Sequence, residues 1–177
     1  MSRLHTVTPE QATGRAAELF GAIKGAMGMV PNAYAAIGAN SPVALEASLN
    51  LDALLRKGSL SAKQIEVIKL AISSLAGCDY CVAAHSLVGK RAGLSVEAVK
   101  AIRANAPTGD AAIDALASFV RRAAGTSGTV PAAVLAAVKE AGYSDTQVVD
   151  ALLAVASITF TNLLNRVNDT VVDFPAI

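Results

Sequence analysis

Two thiols, one imidazole and one carboxylate are the side chains of this sequence whose types and spacing suit chemistry. Cys78 and Cys81 are its only cysteines, and His85 is one of its two histidines. They read Cys78-Asp79-Tyr80-Cys81, three residues, His85, with Glu66 ahead of Cys78 and eleven residues between them. At about 100° per helical residue, Cys78, Cys81 and His85 fall within roughly 60° of one another on one face. Such a C-x-x-C pair brings its sulfurs near enough for a disulfide without moving the backbone far. A helix N-terminus carries about half a positive charge, which favours a thiolate at Cys78 or Cys81. His85 can accept or relay the thiol proton, and Glu66 can fix its tautomer and stabilise its cation. A thiolate with a second cysteine in reach reacts with peroxides or disulfides: one sulfur is attacked or oxidised, and the other resolves it.

The elements that must position these groups are two helices. Ser61 and Gln64 form a capping box, which predicts a helix from near Ala62 with Ile65, Ile68, Leu70, Ile72 and Leu75 on a broad apolar face. Gly77 is its stop. A second helix starts close to Cys78 and runs through Val82, Leu87 and Val88 to Ala92, with Gly93 as its stop. So short a connection makes the two antiparallel. Folding the segment about Leu75 and Ala76 then sets Glu66 opposite His85.

The residues also spell a pattern. Glu66, Cys78-x-x-Cys81 and His85 at these spacings resemble the signature of the AhpD-like alkylhydroperoxidases of the carboxymuconolactone decarboxylase superfamily. Met29-Val30-Pro31-Asn32, the run Asn162 to Val167, and Asp173-Phe174-Pro175 look like its longer, peroxidase-related branch, so the resemblance spans about Pro9 to Pro175. It implies an all-α, AhpD-like multi-helix domain with a central antiparallel hairpin carrying the C-x-x-C motif. It implies that Cys81 attacks a small organic hydroperoxide, that Cys78 is its disulfide partner, and that Glu66 and His85 are the proton relay. It further implies an external dithiol or protein reductant in place of a cofactor, no metal, and assembly as a homo-trimer or hexamer. Tyr80 departs from the pattern: founding AhpD proteins carry a second histidine there. Tyrosine can donate a hydrogen bond but is a poor base at neutral pH, so Tyr80 is an auxiliary candidate. Other readings stay open. The same site suits a thiol–disulfide oxidoreductase serving a peroxiredoxin-like partner. The superfamily's lactone decarboxylases do not use a C-x-x-C pair. Cys, Cys, His and Glu can fill a zinc site, but their spacing is unlike the usual ones, and paired cysteines can also be inert core residues.

The remaining chain reads as helices around that hairpin. Thr8-Pro9-Glu10-Gln11 starts one, with Ala12, Ala16, Leu19, Phe20 and Ile23 as its stripe and Gly25 and Gly28 at its end. Met27 and Met29 read as core filling. Val30-Pro31-Asn32 opens a short helix. Ser41-Pro42 caps the next, with Val43, Leu45, Leu49, Leu51, Leu54 and Leu55 as apolar positions. Ser95, Asp110 and Pro131 start three more. Ser144 and Gln147 box the last long helix, whose expected inner face is Val148, Leu152, Val155, Thr159 and Leu163. Asn162, Asn165 and Asn168 lie beside that face, either bonding near the pocket or a subunit interface, or solvated. No segment alternates apolar and polar over strand length, which argues for an all-α fold.

At 177 residues the chain reads as one domain, with residues 1–7 an arm carrying a surface His5 and 170–177 an extended tail that docks on a neighbour. A net charge of +1 leaves no electrostatic footprint for nucleic acid. The adjacent Arg121 and Arg122 read as a solvated helix face. No uninterrupted apolar run is long enough to span a bilayer, and no secretory pattern opens the sequence. With one closely spaced cysteine pair, a cytoplasmic location is the expectation. A chain that is 53% hydrophobic, without a membrane segment, is expected to bury surface between subunits.

Overall fold

The fold is built outward from a helix that is buried on every side. The computed structural model describes residues 2–175; Met1, Ala176 and Ile177, the ends of the expected arm and tail, lie outside the described residues. The helices are α1 (Gly14–Met27), α2 (Asn32–Asn40), α3 (Pro42–Leu55), α4 (Ala62–Ala76), α5 (Asp79–Arg91), α6 (Val96–Ala104), α7 (Ala111–Gly125), α8 (Ala132–Glu140) and α9 (Asp145–Asn168), with no strand among the described residues. The all-α expectation therefore holds.

α4 is the centre. Its residues from Ile65 through Ser73 are all buried, and it contacts α5, α6, α7 and α9. A helix apolar around its circumference belongs in a core. The main cluster joins Val67, Ile68, Leu70 and Ala71 of α4 to Leu116, Phe119 and Val120 of α7 and Ala151, Ala154 and Ile158 of α9. A smaller cluster, with Leu19, Phe20 and Ile23 of α1 against Ile37 and Leu45, packs α1, α2 and α3.

The caps explain most boundaries. Ser61–Gln64 and Ser144–Gln147 both close as two-way capping boxes. The expected start at Thr8 does not hold. Thr8 N–H does donate to Gln11 Oε1, at 3.3 Å, but this closes a turn, and α1 begins only at Gly14. Gly14 has φ +56°, a left-handed conformation that no α-helix propagates through.

α9 corrects a second expectation. Its buried residues are Ala151, Ala154, Ser157, Ile158, Asn162, Asn165 and Asn168. Leu152 and Leu163, expected inside, are 44% and 62% exposed. Small residues let α9 lie close on α4, so the larger ones turn outward. Val43 and Leu54 of α3 are likewise exposed, and Met27 and Met29 are surface residues rather than core. Arg121 is half-buried and donates to Ile102 O, while Arg122 is exposed as expected.

Both chain ends fold back on their own molecule. Arg3 and Leu4 N–H donate to Asn168 Oδ1 at 3.1 and 2.8 Å. His5 is exposed. The tail does not wait for a neighbour: Asp173 Oδ2 accepts from Asn32 N–H at 2.8 Å, and Phe174 stacks edge-on against Tyr80, 5.5 Å between ring centroids.

Candidate active site

The connection between α4 and α5 is two residues long, and its local chemistry sets the site. Gly77 adopts φ +63°, and the N–H groups of Gly77 and Cys78 turn back to the carbonyls of Ser74 and Ser73. This is a Schellman close, which only glycine makes cheaply. Cys78 is then free to cap α5. Its Sγ accepts the Cys81 N–H at 3.4 Å, the place a serine or aspartate oxygen normally takes. So Cys78 stands just outside α5, and Cys81 lies in the helix's first turn.

The two sulfurs are 2.8 Å apart, both are free thiols and both are buried. They are not equivalent. The hydrogen bond shared with Cys81 pulls the Cys78 thiol below its ordinary value against the cost of burial, with the Cys81 N–H and Arg166 helping and the Asp79 carboxylate opposing. The same hydrogen bond pushes the Cys81 thiol up, and burial and the Cys78 charge push the same way. Cys78 is therefore the more readily ionised sulfur of the pair. Asn165 Nδ2 donates to Cys81 Sγ at 3.3 Å.

Glu66 and His85 meet as the antiparallel hairpin requires, with Glu66 Oε2 2.8 Å from His85 Nδ1. Gly89 of α5 makes room for Leu94, whose Cδ1 would lie 3.0 Å from a Cβ there, while Glu66 Cβ would be at an ordinary 3.7 Å. The other buried charge of α4, Lys69, is held by Asp52 of α3 at 2.8 Å, and Ser157 Oγ donates to the same carboxylate oxygen at 2.8 Å. Burial opposes ionisation of Asp52, but Lys69 and these hydrogen bonds more than offset it and hold the carboxyl below its ordinary value. Each buried charge thus has a partner, as a low-dielectric interior demands.

Cys81 and His85 open onto one cavity of about 100 Å³, together with Asp52, Lys69, Thr161 and Asn165. Its outer wall is aromatic and apolar: Met27, Tyr34, Val88 and Phe174. Tyr34 is buried enough for its phenol to be pushed up to about 12. Tyr80 Oη accepts the Ala33 N–H at 3.1 Å, and burial chiefly, with Asp173 beside it, pushes its phenol up. A neutral, pinned phenol is a wall and a hydrogen-bond post, not a base.

The four sequence candidates are thus gathered at one place, with Tyr80 at its edge. Asp52 and Lys69 were missed, and of the alternatives left open for Asn165 the one near the pocket is what the structure shows. Asn162, Asn165 and Asn168 resolve into three different jobs: Asn162 Oδ1 accepts from Ser73 Oγ at 3.1 Å, Asn165 reaches Cys81, and Asn168 pins the N-terminal arm. Lys69 left a signal, a charge one turn from Glu66 within the apolar run Ile65 to Ile72. Asn165 left a weaker one, its place in the row Asn162, Asn165 and Asn168. Among the described residues no three of histidine, cysteine, aspartate and glutamate converge as metal ligands.

With the geometry in hand, the comparisons can be stated. Residues 42–121 match the carboxymuconolactone decarboxylase family. No curated protein matches by sequence. Among solved structures, the chain is similar to a peroxidase-related protein with an alkylhydroperoxidase AhpD core from Ralstonia eutropha JMP134, with TM-score 0.85 and 20% identity over 97% of this chain and 92% of that one. A peroxidase-related protein from Silicibacter sp. TM1040 gives TM-score 0.81 and 19% identity over 96% and 91%. The debrominase Bmp8 gives TM-score 0.79 and 20% identity over 98% and 93%.

Proposed function

We propose, from the premise that this AhpD-like chain is a member of the carboxymuconolactone decarboxylase superfamily, that it is a thiol-dependent peroxidase reducing organic hydroperoxides. The observation that carries the reading is the placement of the sulfurs beside a proton relay: Cys81 faces the cavity that His85 lines, and Cys78 lies 2.8 Å behind it as a disulfide partner. In this mechanism His85, oriented by Glu66, takes the Cys81 proton, directly or through a water, and Cys81 Sγ attacks the distal oxygen of the hydroperoxide. The O–O bond breaks. His85, oriented by Glu66, gives a proton to the departing alkoxide, which leaves as the alcohol. Cys78 then attacks the Cys81 sulfenic acid, water leaves, and a disulfide forms. An external dithiol restores the two thiols. The apolar cavity wall suits an organic rather than a hydrogen-peroxide substrate. A cytoplasmic setting, where thiols stay reduced, belongs to the same proposal.

One equivalent of cumene hydroperoxide added to reduced protein tests this. Both thiols disappear and the intact mass falls by about two daltons, the two hydrogens lost to a disulfide. Cys81→Ser abolishes turnover; a fully active Cys81→Ser protein would put the nucleophile elsewhere.

A second reading keeps the site and changes the substrate. Cys78 is the sulfur whose thiol is held below its ordinary value, which suits it to disulfide exchange with a partner protein. Steady-state rates with a hydroperoxide against those with a protein disulfide separate the two. A brominated pyrrole belongs in the same panel, because a structure of debrominase Bmp8 holds 2,3,4-tribromopyrrole on this fold.

A further inference from the structure

The cysteine pair is a partition between two cavities. Cys81 lines the one shared with His85, and Cys78 does not. Cys78 lines a second cavity of about 320 Å³, bounded by Gly77, Asp79, Arg166, Thr170 and Val172, and Cys81 does not reach it. Tyr80 and Asn165 border both and form the wall between them. We propose that the two half-reactions use opposite sides of this wall: substrate meets Cys81 from the His85 cavity, and the regenerating dithiol enters the second cavity and attacks Cys78. The inference rests on the disulfide formed in the proposed function.

Exchange chemistry requires such a side. A thiolate displaces one sulfur of a disulfide from the other through a mixed disulfide, entering opposite the sulfur that leaves. Cys81 is the sulfur on the side of the His85 cavity, so a thiolate that expels it comes from the second cavity. In the first step the reductant thiolate bonds to Cys78 Sγ, the Cys78–Cys81 bond breaks, and its electron pair goes to Cys81. Cys81 departs into the Asn165 hydrogen bond and takes a proton within the His85 cavity. In the second step the reductant's other thiol, as thiolate, attacks its own bound sulfur, closing the reductant's disulfide and expelling Cys78. Cys78 is the better leaving group, held at the α5 N-terminus by the Cys81 N–H and near Arg166. The dithiol is oxidised, the protein disulfide is reduced, and the resting pair is restored.

The shape of the entry defines the reductant class. Cys78 is 1% exposed, so a flat protein surface cannot touch it, whereas a slender dithiol or one borne on an extended arm can. Gly77 is fixed there by its left-handed conformation, φ +63°, not by crowding. Arg166, anchored on Ala76 O, is the cation at the mouth, and the Asp79 and Asp169 carboxylates line the same cavity, so a dithiol carrying no net negative charge suits the entry better than an acidic one.

The test starts from wild-type protein oxidised by diamide, so it does not depend on hydroperoxide chemistry. The disulfide is treated with the monothiol 2-mercaptoethanol, quenched in iodoacetamide, and mapped by peptide mass spectrometry. The expected product carries mercaptoethanol on Cys78 and carbamidomethyl on Cys81; the reverse pattern overturns the proposal. Val172→Trp, at an exposed position on the second cavity, should slow reduction by dithiothreitol at least tenfold relative to oxidation by cumene hydroperoxide. Met27→Trp, at the rim of the first cavity, should shift the same ratio the other way. A ratio unmoved by Val172→Trp is also fatal. Diamide oxidation with Cys78 labelling, but no reaction with hydroperoxide, would keep the two-sided arrangement and remove the peroxidase reading. A chain that forms no internal disulfide with either oxidant removes both.

Discussion

At the scale of single residues, the site turns on one proton shared by two sulfurs. The hydrogen bond the two sulfurs share lowers the Cys78 thiol from its ordinary value and raises that of Cys81. A group with a lowered pKa is ionised above that lowered value and loses its charge only as pH falls through it. Thiolate absorbance near 240 nm, followed upward in pH, should therefore rise in two separated steps, one below and one above the ordinary thiol pKa of about 8.5. Two coincident steps would mean the sulfurs are not coupled as described. Asn165 governs the second step. A hydrogen bond to a charged group contributes about 1.5–3 kcal/mol, so Asn165→Ala should slow hydroperoxide oxidation roughly 10- to 100-fold and move the upper step higher still. Asn165 Oδ1 is buried without a partner, so removing the amide also removes an unsatisfied atom and should leave folding largely intact. A loss of activity with an unmoved upper step would make the residue merely structural.

At the scale of elements, the hairpin was legible and the surrounding phases were not. The Ser61–Gln64 box, the Gly77 stop and the shortness of the link are local signals, and they were enough to bring Glu66 to His85 across two helices. α9 defeated the same logic because it is apolar nearly all round. Its large side chains suggested an inner face, whereas close packing on α4 selected the small ones, Ala151, Ala154 and Ser157. Which of its alternatives Asn165 takes was illegible for a related reason, since its partner, Cys81, lies on another helix far along the chain. The α3–α4 contact was also missed, and it carries a testable energy. Asp52→Asn leaves the buried Lys69 ammonium without its counter-charge and should cost about 3–5 kcal/mol in urea unfolding at neutral pH. The wild-type Asp52 pKa is depressed on folding, so its contribution is present above the unfolded value of 3.8 and is lost as pH falls through the lower folded value. The variant's stability should therefore fall less steeply below about pH 4. Equal acid slopes for the two proteins would contradict that assignment.

At the scale of the whole molecule, the outer face of α9 has no partner within the described chain. By length and composition α9 is apolar enough to cross a membrane, yet it is threaded by Asn162, Asn165 and Asn168, and each of the three is bonded to its own fold. Those amides mark its inner side as part of a bundle. Only 28% of its most apolar stretch is buried, and Val149, Leu152, Leu153, Phe160, Leu163 and Val167 stand exposed. Grooves flank this ridge, one lined by Ile72, Leu75 and Ala124, the other by Ala44, Ala47 and Leu51. A ridge between two grooves is self-complementary: under a two-fold axis each copy's side chains enter the other's groove. Six large apolar side chains about half exposed offer roughly 5–9 kcal/mol on burial, which is of the order of the rotational and translational cost of association. We therefore predict a homo-oligomer joined through α9. Light scattering at tens of micromolar should give a multiple of the protomer mass for the wild type and the protomer mass for Leu163→Glu, with helicity unchanged because Leu163 is 62% exposed. A monomeric wild type would leave this face needing a different cover.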